Sequence, residues 1–340
     1  MRAMYGKRLK PSDYAALLSM KNVQDAVEYL REFKSYSEIL RGVDIYALGR
    51  AGLERVLTES LNDEFIRIYR FMSREDHPLL GRLIERAEID EILSFLRAWD
   101  PDLDNEYVCR MPEYFRKYTS IDFEKLERVT DFEQFWEELT HSKYYLPLAR
   151  LPREHGASPE YPVAKSVMDA KYYADLFALI DKKYSGDVAL KMKEGYGAEV
   201  DLLNIVAILR IKTYFPAMEE DIRSYLLPVK GRMRERFIDE MIAAPTAEEA
   251  LEVVKRSPYK TLFSYGEYRN IDDYAEMYLY RFNRKLMSAP TPSVYTPLAY
   301  LYLKQTEVSN LVKIIECVHY GMTPEESGVI LPGAAPEERK

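Results

Sequence analysis

Three stretches of this chain repeat one another, and that repetition restricts the possible folds more than any other feature. "EIDEILSFL" starts at Glu88, "DLLNIVAIL" at Asp201 and "EVSNLVKII" at Glu307. In each, the leading acid is followed at +3 by Glu91, Asn204 or Asn310, and at +4 by Ile92, Ile205 or Leu311. Two large apolar residues close each stretch at +7 and +8. Apolar residues at i, i+3, i+4 and i+7, such as Val308, Leu311, Val312 and Ile315, form one stripe on a helix. The acid and the amide lie beside that stripe. A buried polar group left unpaired costs about 1–3 kcal/mol. Two readings follow: the pair satisfies backbone groups where helices of one module meet, or it contacts a partner protein. Glu91 stands where the other copies have an amide, and a carboxylate there is expected to reach water.

A second marker precedes the first in every copy. Asn22 with Asp25, Thr130 with Glu133 and Thr246 with Glu249 read as helix starts, each a capping side chain with an acid three residues on. A tyrosine follows at +14, +14 and +13, namely Tyr36, Tyr144 and Tyr259. One turn later comes a leucine: Leu40, Leu148 and Leu262. From tyrosine to acid the distances are 52, 57 and 48 residues. Two markers recurring in order with a period of about 110 residues divide the chain into three similar helical modules, 1–112, 113–228 and 229–332. Pro228 in "SYLLP" and Pro332 in "GVILP" end the second and third, and Pro112 in "VCRMP" is a looser counterpart. Residues 333–340, "GAAPEERK", are expected to form a disordered tail.

The rest of the sequence also has helical periodicity, without strand-like alternation, so the fold class is all-α. The long candidates are 43–72, 78–99, 163–184, 199–213, 270–287 and 297–320. Within the first, "GRAG" (Gly49 to Gly52) points to a late start. "GYGAEV" (Gly195 to Val200) follows no strand and lacks the third glycine of a dinucleotide loop, so it reads as a turn before a helix. The 28 tyrosines offer large buried surface with a polar end, suited to long helices with partly wet seams.

Several functions are disfavoured. Net charge is −8, spread as −3, −4 and −1 over 1–112, 113–228 and 229–340, so no third is basic and a nucleic-acid module is not indicated. "KGRMRERF" (Lys230 to Phe237) reads as a solvated helix face. Cys109 and Cys317 lie too far apart in sequence for a metal or redox motif, and a reducing compartment fits. "MRAMYGKRLK" has no apolar core of a signal peptide. No run of 18 apolar residues could span a membrane, so a cytoplasmic protein is expected. No phosphate loop or nucleophile elbow occurs, and His77, His141, His155 and His319 have no partner at metal-ligand spacing. Neither a catalytic residue nor a cofactor or metal site is assigned. "IDDYAEMY" is the strongest enzyme-like signal: Asp272, Asp273 and Glu276 on one helix are reminiscent of the magnesium motif of class I terpenoid synthases. The alternative is a helix first turn, where acids complement the dipole. Only 67 residues follow Asp273, too few for the second metal-binding helix of such a fold.

"RAMYGKRLKPSDYAALLSMKNVQDAVEYLREFKSYSEIL", "EVDLLNIVAILRIKTYF" and "YLYLKQTEVSNLVKIIECVHYGM" carry a family resemblance. In order and spacing the chain resembles, from residue 2 to about 332, the C-subunit family of A/V-type rotary ATPases, whose eukaryotic members are the d-type subunits. The resemblance implies a funnel of three similar modules with pseudo-threefold symmetry and no catalytic site. It implies partners as well: central shaft subunits of D and F type, held in a socket, and the membrane rotor ring of c or K type. The place implied is peripheral, on the cytoplasmic face, without lipid insertion, linking ATP turnover to proton or sodium transport. The first module departs from the pattern at Glu91 and in the acidic "AWDPDLDNEYV". Alternatives are a helical-repeat scaffold of another complex, although such repeats run 34 to 47 residues, and the terpenoid-synthase-like enzyme.

Overall fold

The computed structural model describes residues 1–99, 107–109, 111, 113–154, 158–215, 219–229, 231–264, 270–289 and 293–334. Helix dominates, as the periodicity predicts. The helices of eight or more residues are α1 (Pro11–Leu18), α2 (Val23–Arg31), α3 (Ile45–Phe71), α4 (His77–Ala98), α5 (Phe132–Leu139), α6 (Tyr161–Lys183), α7 (Gly186–Tyr214), α8 (Glu235–Ala243), α9 (Ala247–Arg256), α10 (Ile271–Met287) and α11 (Tyr295–Tyr320). Strand is confined, among the described residues, to an antiparallel pair of two-residue segments, Arg153–Glu154 and Ser158–Pro159.

Side chains at the termini account for many of these boundaries. Asn22 accepts the Asp25 amide at 2.9 Å, and Thr246 accepts that of Glu249 at 3.2 Å, each satisfying an orphan donor of a first turn. The third start is shifted by one residue. Asp131, not Thr130, caps α5, taking the amides of Glu133 and Gln134 at 3.0 Å each. A carboxylate serves two donors at the positive end of the helix better than a neutral hydroxyl. At the far end of α11, Gly321 adopts φ 64°, and its amide turns back to the last carbonyls. That left-handed conformation is nearly free of strain only for glycine.

Two long helices differ from expectation. α3 starts at Ile45 and runs through "GRAG", and α7 starts at Gly186, so "GYGAEV" lies inside a 29-residue helix.

The chain divides into two compact units, each described by itself. One joins residues 1–72 to 262–340 and contains α1, α2, α3, α10 and α11. α11 is its centre, packed on α10, α3, α1 and α2. Leu311, Ile314 and Ile315 of α11 share a core with Leu17, Leu30, Leu40, Leu53 and Leu57. Each such side chain contributes about 1.5–3 kcal/mol of burial. The other unit, residues 73–261, holds α4 to α9. There α4 and α6 run antiparallel: Tyr184, just past α6, donates to Asp76, just before α4, at 2.8 Å. Phe95 of α4 stacks on Phe135 of α5 with centroids 4.6 Å apart. Residues 335–340 of the expected tail, residues 100–106 of the acidic stretch, and Pro112 lie outside the described residues.

Candidate functional site

The acids and tyrosines singled out by repetition meet in the structure, in three buried junctions. Their pairing does not follow sequence order. Tyr144 donates to Glu88 at 2.5 Å, Tyr259 to Asp201 at 2.6 Å, and Tyr36 to Glu307 at 2.5 Å. Each tyrosine thus binds an acid other than the one that follows it in the chain. For Tyr144 and Tyr259 it is the acid before them in the chain. For Tyr36 it is the acid 271 residues further on. All three acids are buried. Leu40, Leu148 and Leu262, one turn after the tyrosines, are buried too.

The junctions compensate their charges in different ways, and acid length decides how. Asp201 is the short acid, so the backbone must come to it. Its carboxylate accepts the amides of Gly231, Arg232 and Met233 at 3.0, 2.6 and 2.8 Å, besides the Tyr259 hydroxyl. This approach requires glycine on both sides. A Cβ on Gly197 of α7 would lie 2.7 Å from Gly231 Cα, and one on Gly231 would lie 2.2 Å from Gly197 O. Gly197 of "GYGAEV" therefore marks a helix–loop crossing rather than a turn. Glu307 is one methylene longer and needs a single amide, that of Leu9 at 2.9 Å. Lys304, itself buried, completes the compensation at 2.7 Å and also donates to the Tyr36 hydroxyl at 2.8 Å. Glu88 accepts from Tyr144, and the adjacent buried Glu85 is paired with Arg82 at 2.5 Å and Lys143 at 2.7 Å.

Burial, then the charge of Glu307, pushes the Tyr36 phenol well above its ordinary value. Burial and Glu88 do the same to Tyr144. Both phenols stay protonated and keep donating, which is what a buried carboxylate requires.

The +3 positions reach the segments that follow each long helix. Asn204 holds Leu227 by both ends, donating to its carbonyl at 3.1 Å and accepting its amide at 2.8 Å. Asn310 donates to the carbonyl of Pro332 at 2.9 Å. Proline has no N–H to return, and the Asn310 carbonyl oxygen has no partner among the described residues. Glu91 departs from expectation. It is buried rather than wet and accepts the Tyr107 hydroxyl at 2.8 Å. A phenol arriving from the next segment supplies the donor that water was expected to supply.

One marker escaped sequence reading. Leu9, Ile121 and Met233 are single buried apolar residues just before α1, before a short helix at Phe123–Leu126, and before α8. "KRLKP" (Lys7 to Pro11) and "GRMRE" (Gly231 to Glu235) share this pattern, and both deliver an amide to a buried acid. One aliphatic among cations is too weak a signal to find without the contact.

The enzyme-like acids are otherwise engaged. Asp273 accepts the amide of Asn270 at 3.4 Å at the start of α10, and Glu276 is paired with Lys313 at 3.2 Å. Among the described residues, no three His, Cys, Asp or Glu side chains are grouped to hold a metal, and no helix is long and apolar enough to cross a membrane.

Fold and junctions define an all-α protein whose buried acids hold its own helices and loops together. The family model described as ATP synthase (C/AC39) subunit matches residues 1–328, and the chain belongs to that family. It is similar to the C subunit of the A-type ATP synthase of Pyrococcus abyssi (strain GE5 / Orsay), 23% identical over 334 residues that cover 96% of this chain and 86% of the relative. The protein is accordingly a rotary ATPase subunit and part of a multi-subunit complex.

Proposed function

We propose that this subunit is a non-catalytic adaptor of the central stalk. It seats the foot of a shaft built from D- and F-type subunits and rests on the membrane ring of c or K type. Docked peripherally on the cytoplasmic face, it passes torque between ATP turnover and proton or sodium transport. Its three modules, 1–112, 113–228 and 229–332, repeat about a pseudo-threefold axis. The observation that carries this reading is the thrice-repeated acid–tyrosine junction. Buried carboxylates engaged by phenols, amides and a lysine hold helix ends in place, and a part that transmits torque needs that rigidity. Cations at two equivalent helix starts support a binding role. Lys10 caps α1 and Arg234 caps α8, both exposed, although cations are disfavoured there by the helix dipole and by capping preference.

The test is reconstitution. Purified subunit mixed with shaft subunits, and separately with detergent-solubilised ring, is expected to form a stoichiometric complex with each by size-exclusion chromatography and native mass spectrometry. Folded subunit that binds neither, or that hydrolyses ATP alone with saturation kinetics, overturns the reading.

A further inference from the structure

In the unit built on α4 to α9, one continuous connector serves the Asp201 junction. Asn204 grips Leu227, and only residues 228–230 separate that residue from Gly231, where the amides that clasp Asp201 begin. The chain then enters α8. In the other unit, the same two tasks fall to stretches more than 300 residues apart. Asn310 grips Pro332 on the C-terminal side, and the amide that reaches Glu307 comes from Leu9, just before α1. No peptide bond joins the two stretches.

They nevertheless meet. Tyr5, Arg8 and Leu9 from one side and Pro332 and Gly333 from the other line a common cavity of about 30 Å³, together with Glu307. That is room for one or two waters. The C-terminal stretch is held by few groups: Leu331 and Ala334 pack on the core, Lys313 reaches the Ile330 carbonyl at 3.3 Å, and Gly333 passes so near the Tyr280 hydroxyl that a Cβ would lie 2.2 Å from it. The shift of register from Leu227 to Pro332 also removes one of the two bonds that the asparagine makes in the other unit.

We propose that residues 328–334 and 6–9 form a non-covalent latch over the Glu307 junction, and that this latch opens as a unit while the covalently continuous Asp201 junction stays closed. Local opening follows the least anchored backbone. Among the described residues, the Leu9 amide is held by one carboxylate and the C-terminal stretch by Asn310 and Lys313, with a cavity between them. The equivalent place in the other unit has five such bonds and an unbroken chain.

Hydrogen exchange by mass spectrometry on the full chain tests this. Peptides spanning Leu9 and Pro332 are expected to exchange together, at least tenfold faster than peptides spanning Leu227 and Met233, and to lose protection at lower urea. Lys313→Ala, which removes a bond to the C-terminal stretch and, among the described residues, none to residues 6–9, should speed exchange at Leu9 and leave Met233 unchanged. Equal protection at Leu9 and Met233 in the wild-type chain overturns the latch. So does a Lys313→Ala chain in which the Leu9 peptide exchanges at its wild-type rate, because the two stretches would then open independently.

Discussion

A tyrosine hydroxyl at 2.5 Å from a buried glutamate does different work depending on what else the acid has. Glu88 has the Tyr144 phenol as its hydrogen-bond partner, whereas Asp201 keeps three backbone amides if Tyr259 is lost. A hydrogen bond to a charged group is worth about 1.5–3 kcal/mol. Tyr144→Phe is therefore expected to destabilise the chain by about 2–3 kcal/mol and Tyr259→Phe by about 1 kcal/mol, read as urea midpoints at unchanged slope. Equal losses would show that the amides around Asp201 do not share its charge. Asn204→Leu removes two bonds from Leu227 and Glu91→Leu strands the Tyr107 hydroxyl, so each is expected to cost about 1–3 kcal/mol in the same assay. At this scale the sequence picks out the residues but not which ones meet. Repetition picks out Tyr36 and Glu307 by type and spacing. Their contact depends on which copy packs on which, and no spacing rule contains that.

Among the elements, α7 shows how a local rule is overridden. Glycine inside a helix costs about 1 kcal/mol relative to alanine, which is why "GYGAEV" reads as a turn. Gly197 is nonetheless helical, because the loop carrying Gly231 must pass within contact distance to deliver three amides to Asp201. Gly197→Ala should therefore destabilise by about 1–3 kcal/mol through overpacking against backbone, despite its better propensity. Gly81 of α4 has nothing within 4 Å of an added Cβ, so Gly81→Ala should stabilise by about 1 kcal/mol. Thermal unfolding of both variants decides: a stabilised Gly197→Ala would mean that the crossing is loose. Elsewhere the helices were legible because apolar stripes and caps are local, and, apart from the start of α3, which runs through "GRAG", boundaries moved by only a residue or two where no close crossing intervened.

For the molecule as a whole, buried phenols predict an alkaline limit. Tyr36 and Tyr144 are raised above the usual tyrosine value by burial and by the neighbouring carboxylates. Tyr107, Tyr172 and Tyr173 are raised too, by burial first. A raised folded value means that the unfolded chain releases these protons first. The stability they contribute is complete below about pH 10 and falls above it by about 1.4 kcal/mol per pH unit for each phenol. Helix loss by circular dichroism and the rise of phenolate absorbance should therefore coincide in one cooperative step above about pH 10. Gradual phenolate formation with helix retained would contradict the burial of these rings.

The crossed pairing of tyrosines and acids bears on how such a chain arose. Residues 1–112 carry Tyr36 and Glu88, yet the first belongs with Glu307 and the second with Tyr144. On the proposed division into modules, a solitary ancestral copy would have had a hydroxyl arm and a carboxylate that do not meet in the present chain. Separate copies could do so only by lending arms to one another, as domain-swapped proteins do. Gene fusion would then have joined copies already in exchange. Fragments can test that history. Residues 73–261 contain two complete pairs and should unfold cooperatively as an isolated monomer. Residues 1–112 lack the partners of both Tyr36 and Glu88 and should stay unfolded or self-associate. A well-folded monomer from 1–112 would mean that fusion preceded exchange.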